Sequence, residues 1–318
     1  MKRFDITTVM YLSLLMLVVP LEGAEKSSAI DPSSSSKPRT VNELYPGLTT
    51  GAMSCAVTSE LPEGVVLKAG ELVIENNELI EEIGKAPEQI RPKLKKNAFF
   101  VLEQIATFKL LLAEARTEAA TSGKDIQEKD EQTIIQEYLS ALAKTVKVGD
   151  EEFLDFYNGN TEMFGGASLA KMKPQIEQFL LQQKQQELIN EHIRTIGRRM
   201  QIEISASWLK VQAVLARDNQ VDKARASGRA SLVDFGSTGC VPCEMMAPIL
   251  ERLREKYKGK VNVLFIHVGE EPILASRYGV QSIPVQIFFD KTGKEVFRHV
   301  GFFAEEQIEG KLSEMRVK

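Results

Sequence analysis

Cys240 and Cys243 stand with two residues between them in GSTGCVPCEMMAP, and the chain of 318 residues holds one other cysteine, Cys55. A pair at this spacing can be half of a metal site, a structural staple or a redox centre. A zinc site needs two further ligands, and neither Cys55 nor the scattered His192, His267 and His299 offers a second pair at finger spacing. A staple across so small a loop restricts the unfolded chain little. Redox exchange fits the local pattern better. The pair follows an apolar stretch, SLVDF, and opens a helical one, CEMMAPILERLREKY, so Cys240 falls at a strand-to-helix junction. A thiol there feels the positive end of the helix dipole and unpaired N–H groups, which favour the thiolate. Spacing i to i+3 on a first turn puts Cys243 beside it, close enough for a disulfide to form and reopen. Pro242 fits because a proline in a first turn sacrifices no intrahelical bond. Cys240 is the candidate nucleophile and Cys243 the candidate resolving thiol.

The elements around the pair alternate. After SLVDF and its helix come a strand VNVLFIHV, a helix PILASRYG, a strand VQIFFD, a turn KTGK, a strand EVFRHVG and a final helix AEEQIEGKLSEM. Continuous apolar strands followed by helices predict an α/β sheet covered on both faces.

These residues carry a resemblance. LVDF, CVPC, SIPV and a following glycine, over 232–301, resemble thioredoxin, and the likeness extends over about 223–318. It implies a thioredoxin-like fold, a central mixed sheet with helices on both faces, and a protein disulfide oxidoreductase with Cys240 attacking and Cys243 resolving through a reversible disulfide. Asp234 then matches the buried carboxylate that assists proton transfer at the resolving thiol. Pro284 matches the cis-proline beside the site, with the backbone of Ile283 pairing with an extended client; Val241 and Pro242 lie on the same client-facing rim. The dipeptide Val-Pro keeps the proline of reducing thioredoxins and lacks the histidine of oxidising DsbA-type sites, which points to a reductase or isomerase. Three positions depart from the family pattern. Gly239 stands before the first cysteine and Gly236 earlier in the loop, where the family has aromatics. The lysine usual near the buried aspartate is missing from VNVLFIHV.

The rest of the chain is organised differently. Residues 1–29 show Lys2 and Arg3, an apolar run to about Val19 and then small residues, the order of a secretory signal. An exported, periplasmic protein is expected, with an uncleaved membrane anchor as the alternative. Residues 30–63, rich in Ser, Thr and Pro, read as a flexible linker. Cys55, at its end, is an isolated thiol that could pair with another chain or relay electrons. Residues 64–204 read as mainly helical, with Phe99, Leu102, Ile105, Ala106, Leu110 and Ala113 at amphipathic spacing, and with β-prone stretches at Val65–Leu67, Leu72–Ile74 and MQIEIS that could pair. Within it, VGDEEFLDFYNGNTEMFGG and the Gln/Lys-rich helix after it resemble the N-terminal module of SurA and related periplasmic prolyl isomerases. That resemblance implies a cradle for unfolded client chains; no prolyl isomerase domain follows it. Residues 205–222 read as a connecting helix and linker to the last domain, 223–318.

Composition narrows the partners. Hydrophobic residues make up 43% and charged residues 26%, enough for real cores, and the net charge of −4 is spread along the chain. Nucleic acid is therefore not expected as a partner. Expected partners are disulfide-containing or unfolded exported proteins and a membrane electron donor, and the chemistry calls for no cofactor and no metal.

Overall fold

The computed structural model describes residues 38–317; the expected signal at 1–29 lies outside the described residues. In chain order the elements are α1 (Val41–Leu44), a 3-10 turn (Ala52–Cys55), β1 (Val57–Ser59), β2 (Val65–Ala69), β3 (Leu72–Glu75), α2 (Asn76–Lys85), α3 (Arg91–Lys96), α4 (Ala98–Ser122), α5 (Glu131–Ala143), α6 (Asp150–Gly159), α7 (Leu169–Arg199), β4 (Glu203–Ser205) and α8 (Ala206–Ala216). They continue with α9 (Gln220–Arg225), β5 (Ala230–Gly236), α10 (Val241–Lys256), β6 (Val261–His267), α11 (Pro272–Arg277), β7 (Val285–Phe289), β8 (Glu295–Val300) and α12 (Glu305–Glu314). The described residues group into two compact units, one of 38–139 with 190–217 and one of 140–189 with 218–317.

The first unit contains a sheet in the order β1-β4-β2-β3. The β-prone stretches do pair: Leu67 opposes Ile204 across antiparallel β2 and β4, and β4 runs parallel to β1 on its other side. Helix α4 is enclosed on more than one face. Phe100, Val101, Phe108 and Leu112 are buried along with Phe99, Leu102, Ile105 and Leu110, whereas Ala113 is exposed. A stripe is too narrow a description because α2, α3 and α8 pack around this helix.

Two expectations are corrected in this unit. The stretch 40–63 is not a free linker, since Val41, Leu48, Ala52, Met53 and Ala56 are at most 2% exposed. Its polar groups are anchored as well: the buried Glu103 of α4 accepts from Thr49 Oγ1 at 2.5 Å and from the Met53 amide at 3.2 Å. Helix α8, expected as a connector, buries Leu209 and Ala213 in the core, and residues 140–189 group with the C-terminal strands instead of with the rest of 64–204. His192 meets Tyr138 Oη at 2.6 Å through Nε2, and Cys55 is half-buried at the end of the 3-10 turn.

The second unit carries a mixed sheet in the order β6-β5-β7-β8. β5 and β6 are parallel, and β7 and β8 run antiparallel to their neighbours. Every residue of β5 is buried, as an apolar strand covered on both faces must be. Leu232 and Phe288 pack on one side with Met246, Leu250 and Leu253 of α10 and with Ile308 and Leu312 of α12. Val233, Phe235 and Ile287 pack on the other with Val221 of α9 and Leu274 and Ala275 of α11. The expected sheet with helices on both faces is thus present.

Candidate functional site at the Cys240–Cys243 disulfide

Strand β5 ends at Gly236 and helix α10 begins at Val241, and the loop between them delivers the cysteines. Cys240 is the N-cap of α10. Its Sγ accepts the Cys243 amide at 3.3 Å, and its carbonyl accepts the Glu244 amide at 3.0 Å. Pro242 lies in the first turn, as its missing donor allows. Cys240 and Cys243 form a disulfide with their Cα atoms 5.2 Å apart. The two sulfurs differ in setting: Cys243 is 3% exposed, whereas Cys240 is half-buried beside Val241, which is 69% exposed. Cys240 is therefore the more accessible of the two sulfurs.

The two glycines that depart from the family pattern have structural causes. Gly239 has φ +75°, a left-handed conformation that side chains disfavour, and it turns the chain into the N-cap. At Gly236 a Cβ would lie 2.9 Å from Phe265 Cε2, 3.2 Å from Cys243 Cβ and 3.3 Å from Cys243 Sγ. Phe265 of β6 thus fills the space beside the strand end that an aromatic at 236 would need. The loop is braced by His267, whose Nε2 accepts the Thr238 amide at 3.2 Å. An accepting Nε2 places the proton of a neutral ring on Nδ1.

Behind the disulfide lies Asp234, wholly buried. Residues i and i+2 of a strand share a face, so Asp234 projects to the side on which Gly236 abuts Cys243. Its register partner on β6 is Phe265, and on β7 it is Gln286. Gln286 Nε2 donates to Asp234 Oδ1 at 2.6 Å. Burial pushes the carboxyl up to about 7, with the Gln286 amide pulling the other way. Phe265 therefore stands in the row where a cation would have held the carboxylate ionised.

The Ile283–Pro284 peptide is cis. Pro284 is buried, Ile283 is half-buried, and the Pro284 carbonyl accepts the Gly301 amide at 2.8 Å. Sequence reasoning missed Gln286 and His267. Gln286 had a readable signal, a polar residue inside the apolar strand VQIFF, which burial on both faces obliges to find a partner.

Comparison with known proteins finds thioredoxin relatives of this region. The thioredoxin family model matches residues 212–314. The thioredoxins of Staphylococcus aureus (strain MW2) and of Staphylococcus saprophyticus are each 43% identical over 95 residues, which is 30% of this chain and 89% of theirs. A solved structure of a mutant thioredoxin from Halobacterium salinarum NRC-1 is 28% identical, covers 31% of this chain and 87% of its own, and has a TM-score of 0.28. With a relative at 43% identity matched over nearly its whole length, and with the disulfide capping α10 beneath a buried aspartate, this chain belongs to the thioredoxin family through its C-terminal domain.

Proposed function

We propose that this protein is an exported thiol–disulfide oxidoreductase that reduces or reshuffles disulfides of other proteins, with the helical part of the chain holding non-native clients. The observation that carries the reading is the Cys240–Cys243 disulfide at the N-terminus of α10, one sulfur accessible and the other buried.

The reduced pair acts in two balanced steps. The Cys240 thiolate, favoured by the helix N-terminus, attacks one sulfur of a client disulfide. The client S–S bond breaks, a mixed disulfide forms, and the departing client thiolate takes a proton. Cys243 then gives its proton to the Asp234 carboxylate and attacks Cys240 Sγ. The intramolecular disulfide forms, and the second client thiolate leaves and is protonated. The client gains two electrons and two protons, which a membrane electron donor outside this chain must restore to the cysteines. An extended client would pair with the backbone at Ile283 and rest on Pro284, Val241 and Pro242. Because Asp234 titrates near 7, its carboxylate is available to take the proton above that pH, and the second step slows as pH falls below it.

Client holding is supported by the resemblance of 64–204 to a client-cradling module. Apolar side chains exposed on α8, Val211 at 56% and Val214 at 69%, offer surface for such a partner. The test is reduction of insulin and reactivation of scrambled ribonuclease. The Cys240→Ser/Cys243→Ser double variant should lose at least about a thousandfold in rate, in line with removal of a catalytic nucleophile. Equal activity in the double variant would overturn the reading.

A further inference from the structure

Asp234 and Gln286 oppose each other across β5 and β7, and both are wholly buried. One hydrogen bond joins them, from Gln286 Nε2 to Asp234 Oδ1 at 2.6 Å. The remaining two polar atoms, Asp234 Oδ2 and Gln286 Oε1, are buried and have no hydrogen-bond partner among the described residues. With the carboxyl ionised both of these atoms are acceptors, and neither can satisfy the other. A proton on the carboxyl changes that. A carboxylic acid and a primary amide are complementary forks, with the amide N–H on one carboxyl oxygen and the carboxyl O–H on the amide oxygen. The amide therefore has something to offer both states: a charge-assisted bond to the carboxylate and an acceptor for the acid. A leucine would offer neither, and a lysine would serve the carboxylate alone.

We propose that Gln286 is a positioning residue for proton transfer at the cysteine pair, holding Asp234 so that its carboxyl takes the proton of Cys243 and returns it without losing its hydrogen-bonded partner. The inference rests on the role proposed above for Asp234. The titratable groups around the pair are Cys240 and Cys243 from α10, His267 at the end of β6, and His299 of β8, the register partner of Gln286. His299 Nε2 lies 3.0 Å from the Phe302 carbonyl, and burial holds the ring below the usual histidine range, so it brings no positive charge at neutral pH. The partner that acts on Asp234 is the Gln286 amide, which favours the carboxylate against burial.

Gln286→Leu keeps the bulk and removes the amide. The carboxylate loses its one donor among the described residues, so the acid limb of the pH profile for the resolving step should move to higher pH by about one unit, a tenfold slower step on the acid side of both limbs. Stopped-flow release of the second client thiol from a preformed mixed disulfide reads that limb directly. An unmoved limb, or one moved to lower pH, overturns the proposal. Asp234→Asn separates the two claims. If it abolishes the limb while Gln286→Leu leaves it in place, the role of Gln286 fails and that of Asp234 stands. If Asp234→Asn also leaves the limb, the reading of Asp234 itself fails. Infrared difference spectra of the unsubstituted protein with labelled glutamine supply a second measurement, independent of any variant. The Gln286 amide band should shift with the same midpoint as the appearance of the protonated carboxyl, and a glutamine band silent across that titration would also overturn the proposal.

Discussion

Two buried aspartates in the C-terminal unit are treated in opposite ways. Asp222, 3% exposed, is surrounded by donors: Arg277 Nη2 at 3.0 Å, Tyr278 Oη at 2.8 Å, Asn219 Nδ2 at 2.6 Å and Arg225 Nη1 at 3.3 Å. Arg225 also lies over the Phe289 ring, 4.8 Å from its centroid. That cluster ties α9 and α11 to the sheet, with the carboxylate facing two guanidinium groups. Asp234, equally buried, has one neutral amide. A charge meant to stay a charge is paired with cations. A carboxyl meant to change state is given a partner that tolerates both states, at the cost of stability when it ionises.

The contrast can be broken in three ways. Asp222→Ala removes the buried carboxylate that Arg277, Arg225, Tyr278 and Asn219 all donate to, so unfolding in urea should show a loss of about 3–5 kcal/mol; a neutral result would mean the cluster is not structural. Asp234→Asn should do the reverse. Between about pH 4 and 7 the folded state keeps a proton on Asp234 that the unfolded chain has released, so ionisation destabilises the fold increasingly as pH rises through that window. The variant should gain up to about 4 kcal/mol at pH 8, with the gain shrinking as pH falls and gone by about 4. A constant difference across that range would show that Asp234 does not hold its proton. The smallest effect is expected from Phe265→Lys, which puts a cation in the β6 row beside Asp234. It should lower the acid limb of the resolving step by about one unit, and an unmoved limb would show that the ammonium does not reach the carboxylate.

The cysteine pair and its junction could be read from the chain because their signals are local: a spacing, and a strand giving way to a helix. Asp234 and the cis-proline came from the resemblance to thioredoxin, which matched LVDF and SIPV to the family's buried carboxylate and its cis X-Pro bond. Gln286 showed as a polar residue in an apolar strand, but its partner appears only when β5 and β7 are in register, and the Asp222 cluster forms only when α9 and α11 are packed together. Nothing in the segment around Asn219 announces Arg277 or Tyr278. The stretch 40–63 misled in the other direction. Its Ser, Thr and Pro content hid its anchors: the sparse apolar residues Val41, Leu48 and Met53, and Thr49 among the polar ones, are the ones that the fold buries. The long helix α4 was placed correctly but assigned one buried face, since periodicity cannot show how many neighbours a helix will have.

Strand β4 has a consequence for how the chain is made. It sits between β1 and β2 in the first sheet, yet it is encoded after the whole run of helices α2 to α7. A chain synthesised from its amino end, at about 5–20 residues per second, carries β1 and β2 with an unfilled place between them until Ser205 has emerged. During that interval both strands have bare edges, the kind of template on which wrong partners pair. The C-terminal sheet, encoded within residues 230–300, has no such wait. The part of the molecule proposed to shelter unfinished proteins is therefore the part that stays unfinished longest itself.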